Sequence, residues 1–214
     1  LFDTLMVSSC GEAAVSGVSL VDSISTLLIQ ILSALATGGA VVCSQYIGKK
    51  MPERAKLSAG QLMLIMLLSA GTVMVVILLS YRFLLRAIFG QIDADVMQNA
   101  EIYFIISAIS YPFLGVYNAG AALFRAIGNS KVSMYTSLVM NVINIGGNAV
   151  LIFGLKMGVM GAALATLTAR IVSALVMVVL LSRKDNPLCI ATPGCMKPQR
   201  DVIGKILKIG IPSG

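Results

Sequence analysis

The stretch LSAGQLMLIMLLSAGTVMVVILLSY, residues 57–81, holds 25 residues without one charged side chain. A helix needs about 20 apolar residues to cross a hydrocarbon core roughly 30 Å thick, so this run suffices for one crossing and not for two. Working outward, residues 23–48, 102–124 and 132–155 also carry no charge, and 157–182 carries only Arg170. The runs are continuous rather than alternating, and a barrel strand would need only about ten residues, so they read as helices. Residues 1–8 read as the end of an earlier span and 206–214 as the start of a later one, and both ends look cut. Leu1 is followed by neither the basic region nor the small-residue cleavage site of a signal peptide.

Composition points the same way. Apolar residues make up 57% of the chain and charged residues 12%, about half the usual charged share, which leaves too little to coat a soluble domain. Mean hydropathy is +0.92. The net charge of +7 does not form a basic face interleaved with aromatics, so no nucleic-acid partner is expected. The charges sit instead in the connections. Loop 49–56 carries Lys49, Lys50, Arg54 and Lys56, loop 125–131 carries Arg125 and Lys131, and the polar tract 183–208 carries six more. Only Arg82, Arg86 and Lys156 fall on the other side. The positive-inside rule therefore makes loops 49–56, 125–131 and 183–208 cytoplasmic.

Breaks between the runs carry matching chemistry. Gly48-Lys49-Lys50-Met51-Pro52 stops one helix on glycine and opens the next on proline, and Gly128-Asn129 punctuates the chain after residue 127. Residues 183–205, with Pro187, Pro193, Gly194 and Pro198, read as a flexible linker. The expected organisation is a transmembrane lobe over 1–182, with spans near 1–8, 20–47, 57–81, 102–124, 132–155 and 158–182, then the linker, then the first residues of a seventh span. Histidine is absent and the four cysteines lack metal spacing, which excludes zincin motifs, histidine triads and histidine proton relays.

Polar residues at membrane depth carry the functional signal, because each must find a partner or a wet cavity. Asp3 lies in the truncated first span, where it is either a carboxylate near a membrane face that is simply hydrated, or one that takes up a proton reversibly, as would suit a coupled transporter. Ser137, Asn141, Asn144 and Asn148 recur at steps of four, three and four and share one helical face. They are either hydrogen-bonding glue between helices, helped by Gly146 and Gly147, or carbonyl ligands for a hard cation such as Na⁺. Thr166, Arg170 and Ser173 share a face of the next span. Arg170 lies about a dozen residues, on the order of 18 Å, from the end of its run, too far to snorkel; it is expected to face the bundle interior or a cavity and to pair with a carboxylate or helix-end carbonyls. Asp22 and the tyrosines at 103, 111 and 117 read as interfacial or packing residues.

Several segments, in this order and spacing, resemble the multidrug and toxic compound extrusion (MATE) transporters: Phe2-Asp3-Thr4-Leu5-Met6-Val7, Gly11-Glu12-Ala13-Ala14-Val15, the run from Ala36 to Gly48, Arg125-Ala126-Ile127-Gly128-Asn129, Gly161-Ala162-Ala163-Leu164-Ala165-Thr166 and Ile209-Gly210-Ile211-Pro212-Ser213-Gly214. The resemblance implies an all-α membrane protein, here the N-terminal six-helix lobe, first span truncated, of a twelve-helix two-lobe transporter. It implies a multi-pass plasma-membrane antiporter driven by H⁺ or Na⁺, with no other cofactor, exporting small amphipathic or cationic organic compounds by alternating access. Its partners would be membrane lipid and a C-terminal lobe, without which the fragment is not expected to transport. The family's coupling site falls on Asp3, Asn144, Asn148 and Thr166, with Ser137, Asn141 and Arg170 as possible cavity-lining residues. Asn148 stands where the fullest form of that site has a carboxylate, which disfavours Na⁺ and favours a protonation switch at Asp3. A flippase for lipid-linked saccharides would call for several basic residues in its cleft, and a membrane-embedded enzyme for clustered acid/base or metal residues; a channel is the remaining alternative.

Overall fold

The computed structural model describes residues 2–90, 92–183, 186–190 and 200–210, with the backbone alone for Phe2, Asp3, Leu5, Arg200, Leu207 and Ile209. All regular structure among these is helical. Helix α1 (Phe2–Val7) passes through a 3₁₀ turn, Ser8–Cys10, into α2 (Glu12–Gly48). Then come α3 (Pro52–Phe89), α4 (Ala94–Ala126), α5 (Ser130–Asn148), α6 (Gly158–Ser182) and α7 (Arg200–Gly210). Five helices are long and apolar enough to cross a membrane, α5 qualifying together with the π-helical turn Ala149–Gly154 that continues it.

The helices end where the backbone chemistry requires. Gly11 at φ +106° separates the 3₁₀ turn from α2, Pro52 occupies the first turn of α3, and Gly90 at φ +68° closes it. Helices α2 and α3 contain 37 and 38 residues, roughly 55 Å each. They outrun the hydrocarbon core, and the overrun carries the charges, among them Glu12, Arg54, Arg82 and Arg86.

Helix α4 is the hub, touching α2, α3, α5 and α6. Lipid gives apolar side chains no reason to prefer one another, so close backbone approach through small residues supplies the packing energy. Three seams show it. A Cβ on Gly17 of α2 would stand 2.9 Å from the Ala100 backbone nitrogen and 3.0 Å from the Val96 carbonyl oxygen. One on Gly115 would stand 3.0 Å from the Met66 carbonyl oxygen of α3, and one on Gly120 would stand 2.8 Å from the Met177 Cβ of α6. Pro112 lies inside α4, where it removes one intrahelical bond; a turn earlier the Ser110 hydroxyl donates to the Ser107 carbonyl at 2.6 Å, local polar satisfaction of the kind that accompanies proline in membrane helices.

Within the tract 183–205, the described segments 186–190 and 200–205 pack against the helices. Residues 186–190 fold back on α6, the Ile190 N–H donating to the Leu181 carbonyl at 3.2 Å, with Leu188 and Ile190 buried. Helix α7 begins at Arg200, inside that tract, because Val202, Ile203 and Ile206 form an apolar face against α2 and α3. The Lys205 ammonium donates to the Tyr46 hydroxyl at 3.1 Å and sits 5.7 Å from its ring centroid. Cys195 lies outside the described residues.

A substitution series tests the α2–α4 seam. Gly17→Val in the full-length protein forces backbone apart and should cost about 1–3 kcal/mol, read as a lower melting temperature in detergent. Gly71→Val, whose added Cβ meets nothing within 4 Å, should leave melting near the wild-type value.

Candidate functional site: the polar interior of the lobe

Helices α5 and α6 approach closely through small residues. A Cβ on Gly147 would lie 3.0 Å from the Ala165 Cβ, and one on Gly161 would lie 3.1 Å from the backbone of Leu151. That proximity lets the Asn144 Nδ2 donate to the Thr166 Oγ1 at 2.8 Å. Thr166 is buried, and Asn148 is fully buried one turn further along α5. Asn148 is the last α-helical residue before the π turn, in which the Leu155 N–H reaches back five residues to the Val150 carbonyl. Such turns frequently mark functional sites.

The four-residue α5 stripe divides. Asn144 and Asn148 turn inward, Ser137 is half-buried, and Asn141 is exposed. Nearer the start of the helix the buried positions pass to Ser133 and Thr136; Ser133 accepts a 3.4 Å bond from Arg125 Nη1. The Asp3 side chain lies outside the described groups, while its helix α1 touches α2, α5, α6 and the π turn.

Two further polar clusters lie inside the lobe. Asp22, assigned above to an interface, is half-buried: its Oδ2 accepts from the Thr4 hydroxyl of α1 at 3.3 Å and its Oδ1 from the Tyr103 hydroxyl of α4 at 3.2 Å. One turn along α2, Ser25 shares a 2.8 Å hydrogen bond with the Tyr111 hydroxyl. Arg170 faces the interior as its span position suggests, but no carboxylate among the described residues receives it. Its Nη1 donates to Ser110 Oγ at 2.5 Å, and its guanidinium carbon stands 5.9 Å from the Tyr111 ring centroid. Ser25, Ser110, Tyr103 and Tyr111 are all buried. Sequence reading missed Ser25 and Ser110 and gave the tyrosines a packing role; the signal available was hydroxyl-bearing residues opposite charged ones at membrane depth.

A second missed feature runs down α2. Ser19, Ser23, Thr26, Gln30, Ser33 and Thr37 recur at steps of four, three, four, three and four, one stripe on the helix. Ser23, Thr26, Gln30 and Thr37 are exposed and the other two half-buried. The hydroxyls of Ser23, Thr26 and Thr37 donate to their own helix's carbonyls at 2.8–3.0 Å. An exposed polar stripe within a membrane helix suits contact with water or another polar wall better than with lipid.

These features define a multi-pass membrane protein whose interior, rather than its ends, holds the chemistry. A family model described as MatE matches residues 1–150, and the chain belongs to this family of transporters, whose members are not enzymes. It is 30% identical to YisQ of Bacillus subtilis (strain 168), described as an uncharacterized transporter, over 99% of this chain and 47% of that protein. It is 29% identical to YoeA of the same organism, described as a probable multidrug resistance protein, over 95% of this chain and 45% of that one. A solved structure of an inward-facing multidrug resistance MATE family transporter of the MOP superfamily superposes with a TM-score of 0.91 at 25% identity, covering 99% of this chain and 48% of its own. The chain thus spans about half the length of the curated relatives it matches.

The α5–α6 link makes its own test. Thr166→Val removes the acceptor from Asn144 and leaves an amide donor unmatched in a part-buried place, which should cost about 1–3 kcal/mol. Thermal unfolding of the full-length protein reads it; Thr166→Ser should recover most of the loss.

Proposed function

We propose that the full-length protein is a cation-coupled antiporter that exports amphipathic organic cations across the plasma membrane by alternating access. The observation that carries this reading is the Asn144–Thr166 hydrogen bond beside the buried Asn148, in a chain of the MatE family. On this reading α1 to α6 form one six-helix lobe of a twelve-helix pair, with loops 49–56, 125–131 and 183–208 in the cytoplasm. The exposed α2 stripe supplies part of the substrate path, and a second lobe supplies the facing wall.

Asp3, Asn144, Asn148 and Thr166 form the coupling site. With the Asn144 amide nitrogen engaged by Thr166, its carbonyl oxygen is the atom left for an entering proton carrier or ion. The Asn148 and Thr166 side chains add neutral oxygens, a hard-ligand set that fits Na⁺ in kind but brings at most one carboxylate, that of Asp3. A single negative charge favours proton over metal, because a proton bonds directly to one carboxylate oxygen whereas a bare Na⁺ must replace its hydration shell with several ligands, most of them neutral here. Neutralisation relaxes the hold on α1, which touches α2, α5, α6 and the π turn, and that difference in free energy biases the lobe between two packings.

Asp3→Asn should abolish gradient-driven efflux from cells while membrane abundance stays at the wild-type level; undiminished efflux would sink the assignment. Asn148→Asp restores a second carboxylate and should make uptake into everted vesicles respond to a Na⁺ gradient more strongly than wild type.

A further inference from the structure

Arg170 is the thirteenth of the 25 residues of α6, at the middle of a span, and a charge there calls for a functional reason. A guanidinium presents several N–H donors in a rigid fork matched to a carboxylate or phosphate. Among the described residues only one of those donors meets an acceptor, the Ser110 hydroxyl at 2.5 Å. The remaining contact is with the face of Tyr111, which steadies the cation without accepting a hydrogen bond along the fork. The residues that grip it are rigid, Ser110 and Tyr111 being fully buried, and Ser25 fixes the tyrosine hydroxyl at 2.8 Å. Arg170 itself is half-buried rather than fully enclosed.

A second unmatched donor lies on the same side of α4. Asn118, seven residues and two turns after Tyr111, has a buried amide nitrogen with no hydrogen-bond partner among the described residues. Positions seven apart share a helical face. Helix α4 thus carries a further unmatched donor on the face that holds Tyr111. Asp22 lies one turn before Ser25 on α2, where Thr4 and Tyr103 hold its carboxylate. Negative charge thus lies toward the start of this polar band and positive charge toward its centre.

We propose that Arg170, braced by Ser110 and Tyr111, is an anion-recognition site in the interior of the lobe that takes the carboxylate of an amphipathic organic substrate, so that the protein accepts acids or zwitterions and not cations alone. The ligand end is a carboxylate because its two coplanar oxygens accept a parallel pair of N–H bonds from one edge of the fork. This extends the exporter reading to a wider substrate class. It is tested by equilibrium binding without any gradient, so failure of ion coupling at Asp3 would not alter its outcome.

The probes are a naphthylalkanoate and its primary amide, equal in size and apolar surface and differing in charge. Their binding to the full-length protein in detergent is followed by fluorescence anisotropy. The wild-type protein should bind the carboxylate about tenfold more tightly than the amide, the worth of a charge-assisted pair in a part-buried setting. Arg170→Gln should bring the two affinities together while the amide affinity holds, and Arg170→Lys should keep part of the preference. Ser110→Ala, which removes the brace and keeps the charge, should reduce the preference less than Arg170→Gln and covers the case in which the glutamine variant does not fold. No preference in the wild-type protein, or an unchanged preference in Arg170→Gln, would overturn the proposal.

Discussion

The polar contacts at the centre of this lobe depend on how near α4 comes to its neighbours. Apolar burial holds soluble helices together, but in lipid it is nearly neutral, and contact distance becomes the main source of packing energy. Glycines facing backbone at Gly17 and Gly115, and facing Met177 at Gly120, bring α2, α3 and α6 against one helix. Only at that separation can short hydroxyls bridge between helices. The bonds from Tyr103 to Asp22 and between Ser25 and Tyr111 cross between α4 and α2 at this separation.

The spans could be read from charge-free runs because lipid imposes one strong rule: a crossing must be apolar for its whole length. That rule says little about which face of a helix looks inward. For α5 the spacing of Ser137, Asn141, Asn144 and Asn148 placed them on one stripe, yet Asn141 is exposed and Asn148 is fully buried. Straight-helix geometry could not foresee the π turn that begins after Asn148, nor the shift of burial to Ser133 and Thr136 early in the helix. The α2 stripe has an equally regular spacing and went unread, since serine and threonine in a membrane helix can hide their hydroxyls on their own backbone, as Ser23, Thr26 and Thr37 do. Their exposure, visible only once the helices are placed, gives the stripe its meaning.

Helix α7 shows the opposite failure. Prolines and charges in the tract suggested a linker. Three apolar residues at helical spacing outweigh them over Arg200–Gly210 because α2 and α3 extend past the membrane core and offer Val202 and Ile206 a surface to cover. A short amphipathic segment has no stable structure by itself; docking supplies it, and docking cannot be read from eleven residues alone.

The charges within the lobe are held in a way that suits movement. Asp22 is gripped by hydroxyls, and Arg170 by a hydroxyl and an aromatic face. A direct buried ion pair between α2 and α6 would cost about 3–5 kcal/mol to break by losing a partner, because each charge would be left bare. Hydrogen bonds to neutral groups are worth about 1–3 kcal/mol where one partner is charged, and they can be exchanged singly. On the exporter reading proposed above, a lobe that repacks between two states is better served by several such bonds than by one strong lock. The closely packed glycine seams then carry the fixed part of the structure, and the hydroxyl-bound charges the part that can change.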